Sequence, residues 1–352
     1  MTMKRAITTL ALILATTLSV EAQEVKNIIY LIGDGMGLSS VSMMQLVNNF
    51  EPTIFDKADN VALQKTYSLD NRVTDSAASG TALASGFKTN NTMLGQLPDG
   101  TNVESLTELA SAKGKATGIV VTTYLQHATP GAFFAHVPSR HEYATISEQL
   151  LASDIDIAIG GGMAFFEERY GNRNKALKAI AESGFTLHES LENEIYGERV
   201  LALLADKEIE NRTGYLAKAT TVAINHLSEC ENGFVLMVEG SLIDGMGHGN
   251  NAEGQKSEMR DFMEAIEVAV AYAAKHNDTL VVVTSDHETG GLAIVSGNAD
   301  FNLSEQGIEY KWSTGGHSGT MVPIYLYGTG AEFVNGVMEN ADLGQLLKEL
   351  LQ

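Results

Sequence analysis

Cysteine is all but missing from this 352-residue chain: Cys230 stands alone, which excludes an intramolecular disulfide and leaves stability to a packed core. Proline is scarce too, five residues against 34 glycines, so the loops gain little rigidity from it. Basic residues number 23 against 44 acidic ones, a net charge of −21. Such a chain repels nucleic acid and anionic membrane surfaces, and any anionic ligand has to find its positive potential locally. Past the N-terminus no apolar run is long enough to span a bilayer. What is present is ordinary for a globular protein, 44% hydrophobic and 19% charged, which argues against disorder.

The first residues differ from the rest. Met1-Thr2-Met3-Lys4-Arg5 is a short basic stretch, residues 6–20 are apolar and uncharged, and Val20-Glu21-Ala22 ends in a small-residue cleavage pattern. This reads as a secretory signal peptide over residues 1–22, so the mature chain is expected to be exported, periplasmic or secreted, with no membrane partner. Residues 23–352 carry no repeat, linker or low-complexity tract and read as a single domain. Within them, apolar runs rich in branched residues recur as buried strands at 27–32, 118–123, 155–159, 234–238, 279–284 and 322–327. Helical spacing occupies 104–113, 143–151, 174–182, 216–227, 259–276 and the end from 343, while 163–214 is mixed and polar. Strands alternating with helices predict an α/β fold, a doubly wound, mainly parallel central sheet flanked by helices. In such sheets ligands bind beyond the carboxyl ends of the strands.

Those ends are acidic. Asp34 follows 27–32 inside Gly33-Asp34-Gly35, Glu239 and Asp244 follow 234–238, and Asp286 and His287 follow 279–284. Carboxylates and imidazoles converging on one edge repel and desolvate one another unless cations sit among them. Mixed Asp/His ligation suits zinc, whereas carboxylate, hydroxyl and water suit magnesium. Asp244 with His248 could hold one ion and Asp286 with His287 another, and a close pair of ions is a clamp used in phosphoryl transfer. A second stretch fits this chemistry. Val73-Thr74-Asp75-Ser76-Ala77-Ala78-Ser79-Gly80 joins helix-start residues to an alanine-rich continuation. A hydroxyl there faces unpaired backbone N–H groups and the positive end of the helix dipole, a setting for phosphate. Alone, the stretch is an ordinary helix cap; beside the strand-end acids it becomes a candidate nucleophile.

The chain resembles the bacterial members of the alkaline phosphatase superfamily. The resemblance rests on Asp75-Ser76-Ala77, His127-Ala128-Thr129-Pro130, Ser139-Arg140, Glu239-Gly240-Ser241-Leu242-Ile243-Asp244 with His248, Ser285-Asp286-His287-Glu288-Thr289-Gly290 and Gly316-His317-Ser318, in that family's order. It implies two Zn2+ and one Mg2+ per chain. Asp244, His248 and His317 would hold the first zinc. Asp34, Asp286 and His287 would hold the second, joined by Ser76, and Asp34, Thr129 and Glu239 the magnesium. It implies that Ser76 is a nucleophile forming a phosphoserine and that Arg140 grips two phosphate oxygens, with Asp75 and His127 behind them. The implied activity is hydrolysis of small-molecule phosphate monoesters at alkaline pH, releasing phosphate and an alcohol. Members are commonly homodimers, though this chain is short for the insertions that enlarge such an interface.

Two positions depart from the enterobacterial type. His127 stands where an aspartate lies near the magnesium, which opens the third site to zinc or cobalt. Gly245 stands where other members place lysine, histidine or tryptophan beside phosphate, which predicts easier product release. Of the other histidines, His136 and His141 read as structural and His188, His226 and His276 as exposed; Trp312, the single tryptophan, reads as packing. The alternatives are a phosphodiesterase of the same superfamily and a non-catalytic exported protein that binds metal or phosphate. The Cys/Ser-x-Pro-x-Arg of sulfatases and the Gly-x-Ser-x-Gly of nucleophile-elbow hydrolases are both absent.

Overall fold

Uninterrupted apolar strands are stable only where both faces of a sheet are covered. The computed structural model, which describes residues 24–209, 214–297 and 307–351, buries them in that way; the expected signal peptide lies outside the described residues. In chain order the strands are β1 (Asn27–Gly33), β2 (Asn60–Lys65), β3 (Ala116–Tyr124), β4 (Ile157–Gly161), β5 (Phe185–His188), β6 (Arg199–Leu203) and β7 (Phe234–Gly240). They continue as β8 (Thr279–Thr284), β9 (Glu288–Thr289), β10 (Leu292–Ser296), β11 (Ile308–Trp312), β12 (His317–Ser318), β13 (Val322–Gly328) and β14 (Gly336–Glu339). Ten of them form one sheet in the order β14-β2-β13-β8-β1-β7-β3-β4-β6-β5. Neighbours run parallel except at β13, which is antiparallel to β2 and β8. The pairs β10–β11 and β9–β12 make two small antiparallel ribbons.

The centre is β1, whose side chains alternate between two cores. Ile28, Tyr30 and Ile32 pack with Leu83, Leu106 and Leu343 on one face; Ile29 and Leu31 pack with Leu216, Phe262 and Ala265 on the other. Each fully buried side chain of this kind stabilises by about 1.5–3 kcal/mol, so a one-residue slip is prohibitive and the register is fixed. That register levels the strand ends: Gly33 of β1 lies opposite Gly240 of β7, and Ile32 opposite Thr284 of β8. The loops after β1, β7 and β8 therefore open onto one edge, at the point where the strand order turns. Close approach there needs glycine. Gly35 has φ +73, and a Cβ on it would lie 2.8 Å from Asp244 Cα.

Several boundaries differ from the sequence reading. The polar 163–214 stretch contributes β5 and β6, and β2 and β14 close the opposite edge; none has the long apolar run of a central strand. The helix expected over 259–276 spans Ala252–Ala273, because Asn251 caps it by accepting from Gly254 N at 3.0 Å, well before the apolar period begins. The strand expected from 155 starts at Ile157, since Asp156 Oδ2 is taken by Thr117 N at 2.7 Å. His188 and His226 are half-buried, not exposed. Among the described residues no helix is long and apolar enough to cross a membrane.

Candidate active site and metal centre

The Ser76–Ser85 helix is buried along its whole length. Asp75 is its N-cap, with Oδ1 accepting from Ala78 N at 3.0 Å, and Gly86 ends it at φ 81. Ser76 is thus the first helical residue, with Oγ 3.1 Å from His287 Nε2. The other Asp75 oxygen accepts from Thr92 N at 3.1 Å and from Arg140 Nη1 at 3.2 Å, so the cap also aims the guanidinium. Arg140 Nη2 lies 3.2 Å from His127 Nε2.

Three histidines turn Nε2 toward the acids because Nδ1 is engaged elsewhere. His248 Nδ1 meets Gly315 O at 2.8 Å, His317 Nδ1 meets Thr74 O at 2.9 Å, and His287 Nδ1 meets Thr289 Oγ1 at 3.2 Å. A carbonyl only accepts, so neutral His248 and His317 carry the proton on Nδ1 and present a lone pair at Nε2. His248 Nε2 stands 3.3 Å from Asp244 Oδ2, and His317 Nε2 3.6 Å from Asp244 Oδ1. His287 Nε2 stands 3.1 Å from Asp286 Oδ2 and 3.5 Å from Asp34 Oδ1. Lone pairs facing carboxylate oxygens at these distances repel unless positive charge lies between them.

The buried oxygens point the same way. Asp34 Oδ1, Asp286 Oδ2, Glu239 Oε1 and His127 Nδ1 make no hydrogen bond. Ser241 Oγ donates to the other Glu239 oxygen at 2.5 Å, and Thr129 Oγ1 lies 3.5 Å from Asp34 Oδ2. Three donor sets have their atoms within 4.8 Å of one another: Asp244, His287 and His317; Asp34, Asp286 and His287; and Asp34, His127 and Glu239. Such imidazole and carboxylate donors suit divalent metal ions. His248 stands at the exposed rim, outside these sets but against Asp244. His127, placed by the sequence behind the ligands, stands among the donors of the third set.

Electrostatics follows burial. Burial, and then the charges of Asp286, Asp244 and Glu239, hold the Asp34 carboxyl well above the usual range. Burial pushes Glu239 to about 8. At Asp244 burial is outweighed by the His248 hydrogen bond and the His287 and His317 charges, so its carboxyl sits low, and that hydrogen bond lifts His248 to about 9. Burial and the Arg140 charge bring His127 down to about 3. Divalent cations would offset the burial and mutual repulsion that raise Asp34 and Glu239.

Ser241, Glu288 and Thr289 were not singled out by the sequence beyond their places in motifs. Glu288 fastens the His317 ribbon: one oxygen accepts from Leu292 N at 3.2 Å, the other from the Ser318 hydroxyl. Trp312 lies against Gly290, where a Cβ would fall 2.4 Å from its ring.

The family model for alkaline phosphatase matches residues 25–307. The chain belongs to the alkaline phosphatase family. Alkaline phosphatase 3 of Bacillus subtilis is 31% identical, over 94% of this chain and 89% of its own length. The alkaline phosphatase of Escherichia coli is also 31% identical, over 95% and 87%. Among solved structures, the alkaline phosphatase of the Antarctic bacterium TAB5 superposes with a TM-score of 0.88 at 35% identity, covering 94% of this chain and 99% of that one. Two variants of the TAB5 enzyme, with glutamate or aspartate in place of a histidine, have magnesium bound in the M3 site. As an alkaline phosphatase the chain is a metal-dependent phosphomonoesterase, and its sheet is the doubly wound, mainly parallel one expected of it.

Proposed function

We propose that this phosphomonoesterase works through Ser76 and Arg140 on two zinc ions and one magnesium. Asp244, His248 and His317 hold the first zinc, Asp34, Asp286 and His287 the second, and Asp34, Thr129 and Glu239 the magnesium, with His127 beside it. Support comes from four buried donor atoms without a hydrogen bond, on residues of two donor sets that share Asp34. When bound, the ions supply the charge that lowers the pKa of a serine hydroxyl and neutralises a departing alkoxide. Ser76 Oγ gives up its proton and bonds to phosphorus as the ester oxygen leaves and takes up a proton to become the alcohol, giving a phosphoserine. Water then attacks from the vacated side, the Oγ–P bond breaks, and Ser76 recovers its proton, with net retention at phosphorus. Arg140, braced by Asp75, grips two non-bridging oxygens with its planar fork. Aryl phosphate hydrolysis at alkaline pH, lost with a chelator and in Ser76→Ala, tests the reading.

Product release is set beside Asp244. A Cβ at Gly245 meets nothing within 4 Å, so a long side chain fits there. In Gly245→Lys an added ammonium near the phosphate is expected to tighten inhibition by inorganic phosphate about tenfold. Unchanged inhibition constants would show that this position does not face the product.

The third site is set by His127. An aspartate there supplies an oxygen donor and still pairs with Arg140. His127→Asp is therefore expected to tighten magnesium binding about tenfold or more, read by calorimetric titration of metal-depleted protein. An unaltered magnesium isotherm would mean that the side chain at this position does not decide which metal the third site takes.

We assign residues 23–352 to one exported catalytic domain acting on small-molecule phosphate monoesters. N-terminal sequencing of protein recovered outside the cytoplasm should begin at Gln23; a sequence beginning at Met1 overturns the cleavage. The family's homodimer is the assembly implied, and a single-chain mass in sedimentation would exclude it.

A further inference from the structure

Thr289 stands where the ligand-bearing segments meet. Its backbone N–H donates to Gly35 O at 3.2 Å, tying it to the loop that carries Asp34. Across the β9–β12 ribbon it lies opposite His317. Its hydroxyl is 2.5 Å from Asp244 Oδ1 and 3.2 Å from His287 Nδ1. The residue is 1% exposed. A Cβ at Gly35 would fall 2.9 Å from its Oγ1, and one at Gly247 2.9 Å from its carbonyl oxygen, so both neighbours give it room by being glycine.

A hydroxyl has one proton to give. A carboxylate only accepts, so Thr289 donates to Asp244, and its oxygen is left to accept from His287 Nδ1–H. Two consequences follow for the metal donors. The His287 Nε2 lone pair is aimed at the space shared by Ser76, Asp34 and Asp286. Asp244 is held in rotation by Oδ1, which leaves Oδ2 toward His248. In the ligand assignment proposed above Asp244 and His287 serve different zinc ions, and this hydroxyl binds one to the other without adding charge to a site already rich in it.

We infer that Thr289 is a positioning residue whose hydroxyl holds the two halves of the zinc centre in mutual register. The inference rests on the ligand roles proposed above for Asp244 and His287. Loss of an outer partner of a metal ligand typically costs about 10–100-fold in metal affinity.

The test compares zinc affinity, by competition with a chromophoric chelator, in wild type, Thr289→Ser and Thr289→Ala. Both replacements are smaller than threonine, and only serine keeps the hydroxyl. The alanine variant is expected to bind zinc about 10–100-fold more weakly, while the serine variant stays within about threefold of wild type. Serine and alanine variants that bind alike overturn the inference and leave the ligand assignment standing. A wild type that binds no zinc overturns the ligand assignment and the inference with it. Should circular dichroism show the alanine variant unfolded, Thr289→Val, which keeps the volume and removes the hydroxyl, takes its place: weakening of the same size supports the bridge, and wild-type affinity overturns it.

Discussion

Ser76→Ala is expected to lower kcat for an aryl phosphate by about a thousandfold or more, with zinc content and KM little changed. The variant should fold normally. Asp75, not Ser76, caps the helix, and alanine is the best helix former, so the first turn loses nothing it depends on. Phosphate binding also persists, because Arg140 is braced by Asp75 and the metal donors are elsewhere. Two hydroxyls of the same centre are already committed. Ser79 Oγ donates to Asp286 O at 2.6 Å and accepts from Asn340 at 2.9 Å, and Thr289 is committed to Asp244 and His287. Asp75→Ala should behave differently: losing the cap costs about 1 kcal/mol in stability, and the freed Arg140 raises KM. Acid quenching of wild type during turnover should trap phosphate on Ser76, and Ser76→Ala should trap none. A near-normal rate in Ser76→Ala would mean direct attack by water and would sink the phosphoserine step.

Much of this centre was legible in the sequence, and for a definite reason. A buried parallel strand announces itself as an unbroken apolar run, and its end is marked by the first glycine or charge. The order of residues alone thus puts Asp34, Glu239 and Asp286 at strand ends, and the level register of β1, β7 and β8 brings those ends to one edge. The strands toward the two ends of the sheet, next to the edge strands β14 and β5, gave no such signal. β6 has only five residues and follows a polar stretch, while β2 alternates in burial because one face is partly open. The connecting groups were illegible for another reason. Ser241 and Thr289 act by where their hydroxyls end up, 2.5 Å from Glu239 and Asp244, and no spacing rule carries a hydroxyl direction. His127 shows the limit in the other direction: its place in a motif marked it as near the third site, but its unpartnered Nδ1 is visible only in three dimensions.

Stripping the metals is expected to abolish turnover and to lower the thermal midpoint on the order of 10 °C, both restored by zinc and magnesium. The loss of stability should itself depend on pH, with a sign fixed by the buried acids. In metal-free protein the Glu239 carboxyl is raised to about 8 and Asp34 is also raised, both first by burial. His248 is raised to about 9 by its hydrogen bond to Asp244. A raised group stabilises fully below its unfolded pKa, and that contribution drains away as pH climbs through the folded value. Asp244 and Asp286 are lowered, and His127 is brought down to about 3, so their contributions fade only in acid, below about pH 6.5. Between about pH 6.5 and 9, then, the metal-free protein should lose stability steadily as pH rises. Loaded protein should not, since bound cations hold these ligands deprotonated. The gap between the two melting curves therefore widens toward alkaline pH, and loading at neutral pH releases protons, chiefly from Glu239, that calorimetry in two buffers can count. A gap that narrows with rising pH would mean that these acids do not hold the metals. If it widens, the same ionisations that cost the empty protein its stability are those that tighten its metals, which places full activity on the alkaline side.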